Sequence, residues 1–298
     1  MTLIFVIIIL ITILIYILLR KPFEKYTNMN KGKIAFLFLT IGDINNYNIW
    51  EKYLRGNEDR YSIYVHPKYP EKITQKLIKD NIIVENTETG WGTIGAVRAN
   101  LLLLKYALMD PFNKMFILVS DSCMPVQSFD NFYNFIFNDM KTYIPYFIQH
   151  MDRYDMIKNP MIPRDKFRKH CAQGLVFNRK HAVLLNDNDM TENWKDVSFV
   201  DENYFYNNII QHNIEDNEIK KYKITFDLWS LIGNNGHDND SMFKYFEYDV
   251  NNKLKMKTFS TFGTLNDEFL GKIKENGYYF MRKVDKECTF DNLKDFLR

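Results

Sequence analysis

Short apolar runs that alternate with helical patterns constrain the fold of this chain more than any other feature. The runs lie at residues 34–39, 61–65, 82–84 and 115–119. Alternation of this kind predicts a mixed, mostly parallel sheet flanked by helices, an α/β fold. No internal repeat and no Pro/Gly/Ser-rich linker interrupts the chain after residue 31. We therefore expect residues 33–298 to form one domain.

One helix is predicted most clearly, between the last two of these runs. Apolar residues recur there at steps of three and four positions, at Ile94, Val97, Leu101, Leu104 and Leu108. Thr93 is placed to cap the start of this helix, and Pro111 to end it. A second helix is predicted over residues 201–212.

Polar loops follow three of the predicted strands. In open α/β sheets, ligands bind beyond the carboxyl ends of the strands. The loops at those ends contain Thr40, His66, Ser120 and Asp121. These four residues are therefore candidates for binding a ligand.

The amino-terminal segment is apolar from residue 3 to residue 19 except for Thr12 and Tyr16, which is long enough to cross a bilayer. No small-x-small cleavage site follows it, so residues 1–20 are predicted to be a transmembrane anchor and 21–32 a stem. Positive charges follow the anchor, at Arg20, Lys21, Lys25, Lys31 and Lys33. They favour a cytosolic main domain. The sequon at 239–241 permits a luminal one, and the side stays open.

Several classes of function lack their usual marks. The 39 basic and 37 acidic side chains nearly cancel, so nucleic-acid binding is not expected. Cys123, Cys171 and Cys288 form no CxxC, which argues against a zinc site or a disulfide framework. The motifs of dinucleotide-binding enzymes, P-loop proteins, zincins and serine hydrolases are absent from the sequence.

Ser120-Asp121-Ser122 follows a strand where metal-dependent sugar transferases often carry Asp-x-Asp. One carboxylate beside two hydroxyls is a poor cage for Mg²⁺ or Mn²⁺, so a metal-free mechanism is predicted. Residues 187–189 and 238–240 do match Asp-x-Asp, but their Asn/Asp-rich surroundings are typical of solvated turns. A metal-dependent transferase that uses one of them remains an alternative.

Six segments, in consistent order across about residues 33 to 285, resemble the core-2/I-branching enzymes. That family comprises β-1,6-N-acetylglucosaminyltransferases, plant relatives and peptide xylosyltransferases. The segments are 33–40, 61–67, 91–92, 120–125, 178–180 and 200–202. The resemblance implies a GT-A type fold, an amino-terminal anchor in the Golgi or another endomembrane, and a UDP-sugar donor. It also implies a glycan or glycoprotein acceptor and an inverting mechanism without a metal or other cofactor.

Individual roles also follow from the resemblance. From position alone, Asp201 and Glu202 are better explained as two acids that favour the first turn of a helix. The resemblance reverses this preference, because Glu202 matches the family's catalytic base. Lys257 and Lys283 lie in segments that resemble those bearing a phosphate-binding Arg and Lys, or else they are surface lysines. Arg282 can compensate for the bidentate geometry that a Lys at position 257 gives up.

Two residues are candidates for the acceptor side. Trp229 falls near a family aromatic that packs against the acceptor sugar, and a core Trp is an equal alternative. Gln173 is the one residue of 170–174 that matches the plant relatives, which have Lys-Gly-Ser-Gln-Trp there. The same two alternatives, an acceptor contact or a core position, apply to Trp91.

The resulting prediction is transfer of N-acetylglucosamine or xylose from its UDP donor to a hydroxyl of a glycan or protein. Glu202 would act as base, and Lys257, Arg282 and Lys283 would neutralise the leaving UDP. A catalytically inactive carbohydrate-binding protein on the same scaffold is an alternative, suggested by Pro67, Lys257 and Gly174, which depart from the family pattern. A membrane-tethered structural protein is a third.

Overall fold

The structure is a computed structural model that describes residues 9–13, 16, 32–148, 152–212, 214, 216–227, 256–258 and 261–291. Residues 256–258, 261–264, 290 and 291 are described by their backbone. The predicted anchor and stem fall mostly outside these ranges. Within them, no helix is both long enough and apolar enough to span a bilayer.

The described part of the chain contains fourteen strands and, besides the helical residues 9–13, eight α-helices. The strands are β1 (Lys33–Thr40), β2 (Tyr61–Pro67), β3 (Asn113–Ser120), β4 (Met124–Pro125), β5 (Thr142–Tyr143), β6 (Tyr146–Phe147), β7 (Lys169–His170), β8 (Val176–Asn178), β9 (Ile219–Lys220), β10 (Thr225–Asp227), β11 (Met256–Thr258), β12 (Thr261–Asn266), β13 (Phe280–Arg282) and β14 (Val284–Asp291). The helices are α1 (Tyr47–Leu54), α2 (Lys76–Lys79), α3 (Ile94–Leu108), α4 (Phe129–Asp139), α5 (Arg179–Asp187), α6 (Thr191–Trp194), α7 (Tyr204–Ile210) and α8 (Asp267–Glu275). Short 3-10 turns lie at Pro70–Lys72, Tyr154–Met156, Arg164–Lys166, Val200–Glu202 and Asp216–Glu218.

A six-stranded sheet forms the centre, in the order β2-β1-β3-β8-β5-β9. Strands β2, β1 and β3 run parallel, β8 is antiparallel to both β3 and β5, and β9 is parallel to β5. The sheet is therefore mixed and rich in parallel pairs, as the alternating runs predict, and it fits a GT-A type fold.

Helices cover both faces of this sheet because successive side chains of a strand point to opposite sides. On β1, Phe36 and Phe38 pack into the hydrophobic cluster formed with α1, α2, α4 and α8. Ala35 and Leu37 pack into the cluster formed with α3, α5, α6 and α7. The near-continuous apolar character of β1 follows from burial on both sides.

The predicted helix at 94–108 and three of the four predicted strands are confirmed. The fourth, 82–84, is wrong: Ile82 makes one isolated bridge to Val65 and no strand forms. The cap of α3 also differs from the prediction, because the Thr93 side chain makes no capping hydrogen bond and its hydroxyl donates to the Gly90 carbonyl at 2.9 Å.

The predicted helix over 201–212 is divided in two. Residues Val200–Glu202 form a 3-10 turn, and the α-helix begins at Tyr204. Asn203 separates them with φ −133° and ψ −31°, outside helical geometry. Glu202 therefore lies in the 3-10 turn ahead of α7 and not in the first turn of an α-helix. Val200, fully buried, anchors the turn in the core.

Candidate active site

The three loops predicted to bind a ligand converge at the carboxyl ends of β1, β2 and β3. The backbone N–H of Ile41 donates to Asp121 Oδ2 at 3.0 Å, and that of Asn45 donates to the Asp121 carbonyl at 2.8 Å. Lys68 N–H donates to the Thr40 carbonyl at 2.8 Å. Asp121 thus joins two of these loops and turns its carboxylate toward the loop after β1.

The segment that carries Arg282 and Lys283 lies against the same loops. Strand β13 pairs with β10, which places Arg282 opposite Asp227, and with β4. Immediately after Lys283, the Val284 N–H donates to the Ser122 carbonyl at 2.8 Å, and Asn45 Nδ2 donates to the Val284 carbonyl at 2.7 Å. The carboxyl-terminal part of the chain therefore closes the polar end of the sheet.

Lys283 is half-buried among charges. Burial, and after it the positive charge of Arg282, lower the pKa of the Lys283 ammonium. The carboxylates of Asp121 and Asp227 act in the opposite sense. The Arg282 Nε is buried and has no hydrogen-bond partner within the described residues. Two cations thus stand at the end of the sheet where ligands bind, and one of them, Arg282, has a buried nitrogen that the described residues leave unpaired.

Glu202 is held by two cations from a different part of the chain. Its Oε2 lies 3.1 Å from Arg153 Nη1 and 3.1 Å from Lys169 Nζ, and its side chain is 29% exposed. Arg153 Nη1 also donates to Asn203 Oδ1 at 3.1 Å. The other oxygen, Oε1, has no partner in the part of the chain that the structure describes. The carboxylate is thus fixed through one oxygen and open at the other.

Asp201 links the Glu202 turn to the Arg282 segment. Burial, and then the adjacent Glu202 carboxylate, raise the pKa of the Asp201 carboxyl to about 6, while Arg282 and Arg153 act in the opposite sense. The Asp201 carboxyl is therefore influenced by charges of its own turn, of Arg153 and of the Arg282 segment. We call Asp201, Glu202, Arg282, Lys283 and Asp227 the central charge cluster.

Comparison with known proteins identifies the family of this chain. The family model of the Core-2/I-branching enzyme matches residues 34–257. The chain belongs to the Core-2/I-branching enzyme family. A curated relative, glycosyltransferase BC10 of Oryza sativa subsp. japonica, is 27% identical in an alignment 234 residues long, which covers 67% of this chain and 58% of the relative. The chain therefore spans less than two thirds of the length of the curated relative it matches.

Two of the predicted binding residues of this Core-2/I-branching family member, His66 and Ser120, have polar contacts with neighbouring residues of the protein. His66 is fully buried, and its Nε2 accepts from the Thr87 N–H at 3.0 Å. Ser120 Oγ lies 3.3 Å from Ser122 Oγ and 3.2 Å from Cys123 Sγ. Thr40 Oγ1 and Gln173 Oε1 are buried and lack hydrogen-bond partners within the described residues. Their ligand-binding roles stay predictions.

The structure places the backbone of Lys257 and one of the two Asp-x-Asp segments. Lys257 lies in β11, which pairs with β12, which in turn pairs with β14. Because neighbouring strands lie about 4.8 Å apart, the Lys257 backbone is about 10 Å from the start of β14, just after Lys283. Trp229 and the Asp-x-Asp match at 238–240 lie outside the described residues. The match at 187–189 ends α5, and there Asp189 Oδ1 accepts from the Thr191 N–H, as expected of a turn.

Gly174 explains one departure from the plant relatives, which have Trp there. Its φ is +73°, and a Cβ at this position would lie 2.3 Å from Thr225 Oγ1. A side chain at position 174 would therefore displace β10, which pairs with the Arg282 strand.

Sequence reasoning missed Arg153 and Lys169. They contact Glu202 from 49 and 33 positions away, and no local spacing indicates such contacts.

The three cysteines are free thiols. Among the described residues, no three His, Cys, Asp or Glu side chains stand close enough to hold a metal ion. A cavity of about 440 Å³ lies along α4, near Lys220 and Tyr279, and includes no member of the central charge cluster.

The raised pKa of Asp201 predicts a pH-dependent gain in stability on neutralising it. The folded state holds the Asp201 proton up to about pH 6, whereas the unfolded chain loses it near the ordinary value of 3.8. Ionising the carboxyl therefore costs the folded state free energy as the pH rises through this window. Asp201→Asn should raise the free energy of unfolding by up to about 3 kcal/mol at pH 7 and have little effect at pH 4.

Urea denaturation between pH 4 and pH 8 checks this expectation. Asp155→Asn is the matched control, since hydrogen bonding to Arg164 lowers the pKa of that exposed carboxyl and no gain at neutral pH is expected there. An Asp201→Asn effect of the same size at every pH would contradict the proposed cost of ionisation.

Proposed function

We propose that this chain is an inverting glycosyltransferase that moves a sugar, N-acetylglucosamine or xylose, from a UDP-sugar to a hydroxyl of a glycan or protein, without a metal. Family membership supports the reaction class. The observation that carries the proposal is the central charge cluster, which combines the Glu202 carboxylate, fixed through one oxygen, with the cations of Arg282 and Lys283. The apolar segment 3–19 supports attachment of the enzyme to an endomembrane.

Glu202 serves as the general base. Arg153 and Lys169 fix its Oε2, so that Oε1 is available to accept the proton of the acceptor hydroxyl. The acceptor oxygen forms a bond to the anomeric carbon on the face opposite UDP, and the bond from that carbon to the UDP oxygen breaks. The electron pair leaves with UDP, and the anomeric configuration inverts. General-base assistance of this kind is typically worth about 10² to 10⁴ in rate.

Arg282 and Lys283 neutralise the charge that develops on UDP. Preorganised cations are more effective the more water is excluded, and Lys283 is half-buried. Burial lowers the pKa of this ammonium, and a bound diphosphate would favour its charged form. The backbone position of Lys257, two strands away in the β14 sheet, is consistent with a further contact to the donor.

Metal independence is supported by the donor set at the end of β3. Asp121 is flanked by two serines, its Oδ2 already accepts the Ile41 N–H, and its charge acts on Lys283. Divalent cations such as Mg²⁺ are usually held by carboxylates and phosphates together. In this site the cations of the protein take the place that such an ion would occupy beside the diphosphate.

A donor screen in EDTA tests the whole proposal. The protein is incubated with UDP-N-acetylglucosamine, UDP-xylose and other UDP-sugars, with a panel of oligosaccharide and peptide acceptors and excess EDTA. We expect one donor to give UDP and a product of β configuration at the same rate with or without the chelator. Activity that EDTA abolishes and Mn²⁺ restores would contradict metal independence. Binding of UDP-sugars without any turnover would favour the carbohydrate-binding alternative.

A further inference from the structure

Trp91 is the feature near the central charge cluster that the proposed function leaves unexplained. Its side chain is 84% exposed, whereas Trp50 and Trp194 are buried in the two hydrophobic clusters. Large aromatic side chains bury 150–250 Å² when packed, and Trp is enriched at binding interfaces. Trp91 lies in the loop that precedes α3, so it is not part of an apolar helix face.

The Trp91 ring is attached to the turn that carries Glu202. It meets the Phe199 ring edge-on, with centroids 4.8 Å apart and an angle of 85° between the planes. The Phe199 N–H donates to the Gly92 carbonyl at 2.9 Å, and the Phe199 carbonyl accepts the Glu202 N–H at 3.0 Å. Two hydrogen bonds and one ring contact therefore connect Trp91 to the proposed base.

The backbone at this contact is specialised for close approach. Gly92 has φ +68°, and a Cβ there would lie 3.0 Å from the Phe199 ring. Phe199 itself has φ +48°, in the left-handed region that a bulky side chain rarely adopts. The Arg153 guanidinium lies 5.1 Å from the centre of the same ring. Phe199 thus contacts both Arg153 and Trp91, while Trp91 remains largely exposed.

We propose that Trp91 is a stacking platform for a sugar unit of the acceptor glycan, next to the unit whose hydroxyl attacks. This inference rests on the proposed function. The platform belongs to the acceptor side because it is fixed to the Glu202 turn, whereas Arg282 and Lys283 stand with the loops after β1 and β3. A pyranose suits it because one apolar ring face can cover the indole while its hydroxyls reach the charged side chains of Arg153 and Lys169.

Steady-state kinetics with Trp91→Ala test the platform. The probes are the transferable UDP-sugar and β-1,4-linked N-acetylglucosamine as monomer and tetramer. Because an aromatic stack is worth about 0.5–1.5 kcal/mol, we expect the KM for the tetramer to rise about two- to tenfold, with a change of less than about twofold in the KM for the donor. Trp91→Phe should recover part of the loss. Phe112→Ala, which removes an exposed aromatic at the opposite end of the sheet, should leave both KM values unchanged.

Binding measurements keep this inference separate from the proposed reaction. Titration of the tetramer into the wild type should perturb the fluorescence of an accessible Trp, and Trp91→Phe should abolish that change. If no UDP-sugar reacts but the tetramer still changes the Trp fluorescence, the transferase proposal is contradicted and the stacking platform is still supported. An unchanged KM for the tetramer in Trp91→Ala, or equal loss of donor and acceptor affinity, would overturn the platform.

Discussion

Replacing Glu202 by Gln is expected to lower the rate of sugar transfer by about 10² to 10⁴, while UDP still binds. The amide keeps the size of the side chain and a hydrogen-bonding oxygen for Arg153 and Lys169, but it cannot accept the proton of the acceptor hydroxyl. The loss should therefore appear in kcat, with little change in the KM for the donor. Initial-rate kinetics and isothermal titration with UDP give the two quantities.

The control for Glu202→Gln is Glu85→Gln. Glu85 is also paired with a lysine, Lys105, at 2.6 Å, but on the exposed surface. This change should leave kcat unchanged, which separates loss of the base from loss of any ion pair. Turnover that persists in Glu202→Gln would remove Glu202 from the role of base and leave the central charge cluster without its proton acceptor.

Replacing Lys283 by Ala is expected to lower kcat by about 10² to 10³, the usual cost of removing one preorganised group that stabilises developing charge. UDP affinity should fall as well, because the same ammonium meets the diphosphate in the bound state. Lys283→Arg keeps the charge and should recover part of both losses. Measurement of kcat and of the UDP dissociation constant for the two variants checks the expectation.

Lys286 provides the comparison for Lys283. It is exposed and lies three positions further along, in β14. Lys286→Ala changes the net charge of the protein by the same amount and should alter neither kcat nor UDP affinity. Equal effects of the two alanine variants would indicate a general electrostatic attraction of UDP rather than a contact at Lys283.

The central strands and α3 could be predicted because their patterns are local. β1 and β3 are apolar on both faces, and the three- and four-residue steps of α3 match a single helical face. The prediction of a strand at 82–84 was wrong because its apolar run is short and makes only one isolated bridge, from Ile82 to Val65, among the described residues. The helix at 201–212 was wrong at its start because a 3-10 turn and Asn203 precede α7, and residue periodicity does not distinguish such a turn from a first helical turn.

The candidate site divides in the same way. Asp121 and the loops after β1, β2 and β3 could be placed at one edge because parallel strands end together. The partners of Glu202 could not, because Arg153 and Lys169 reach it through tertiary packing. The pKa of Asp201 depends on burial, and the exposure of Trp91 depends on what its loop packs against. None of these three features produces a periodic pattern of residues in the sequence, so sequence reasoning could not predict them.

The central claim is that Glu202 and the Arg282–Lys283 pair serve one reaction. A crystal structure of the protein with UDP, grown in EDTA, tests it most directly. The proposal predicts diphosphate oxygens at about 3 Å from Lys283 Nζ and from the Arg282 guanidinium, on the side of the site that Glu202 Oε1 faces. A diphosphate bound out of reach of both Arg282 and Lys283 would contradict it.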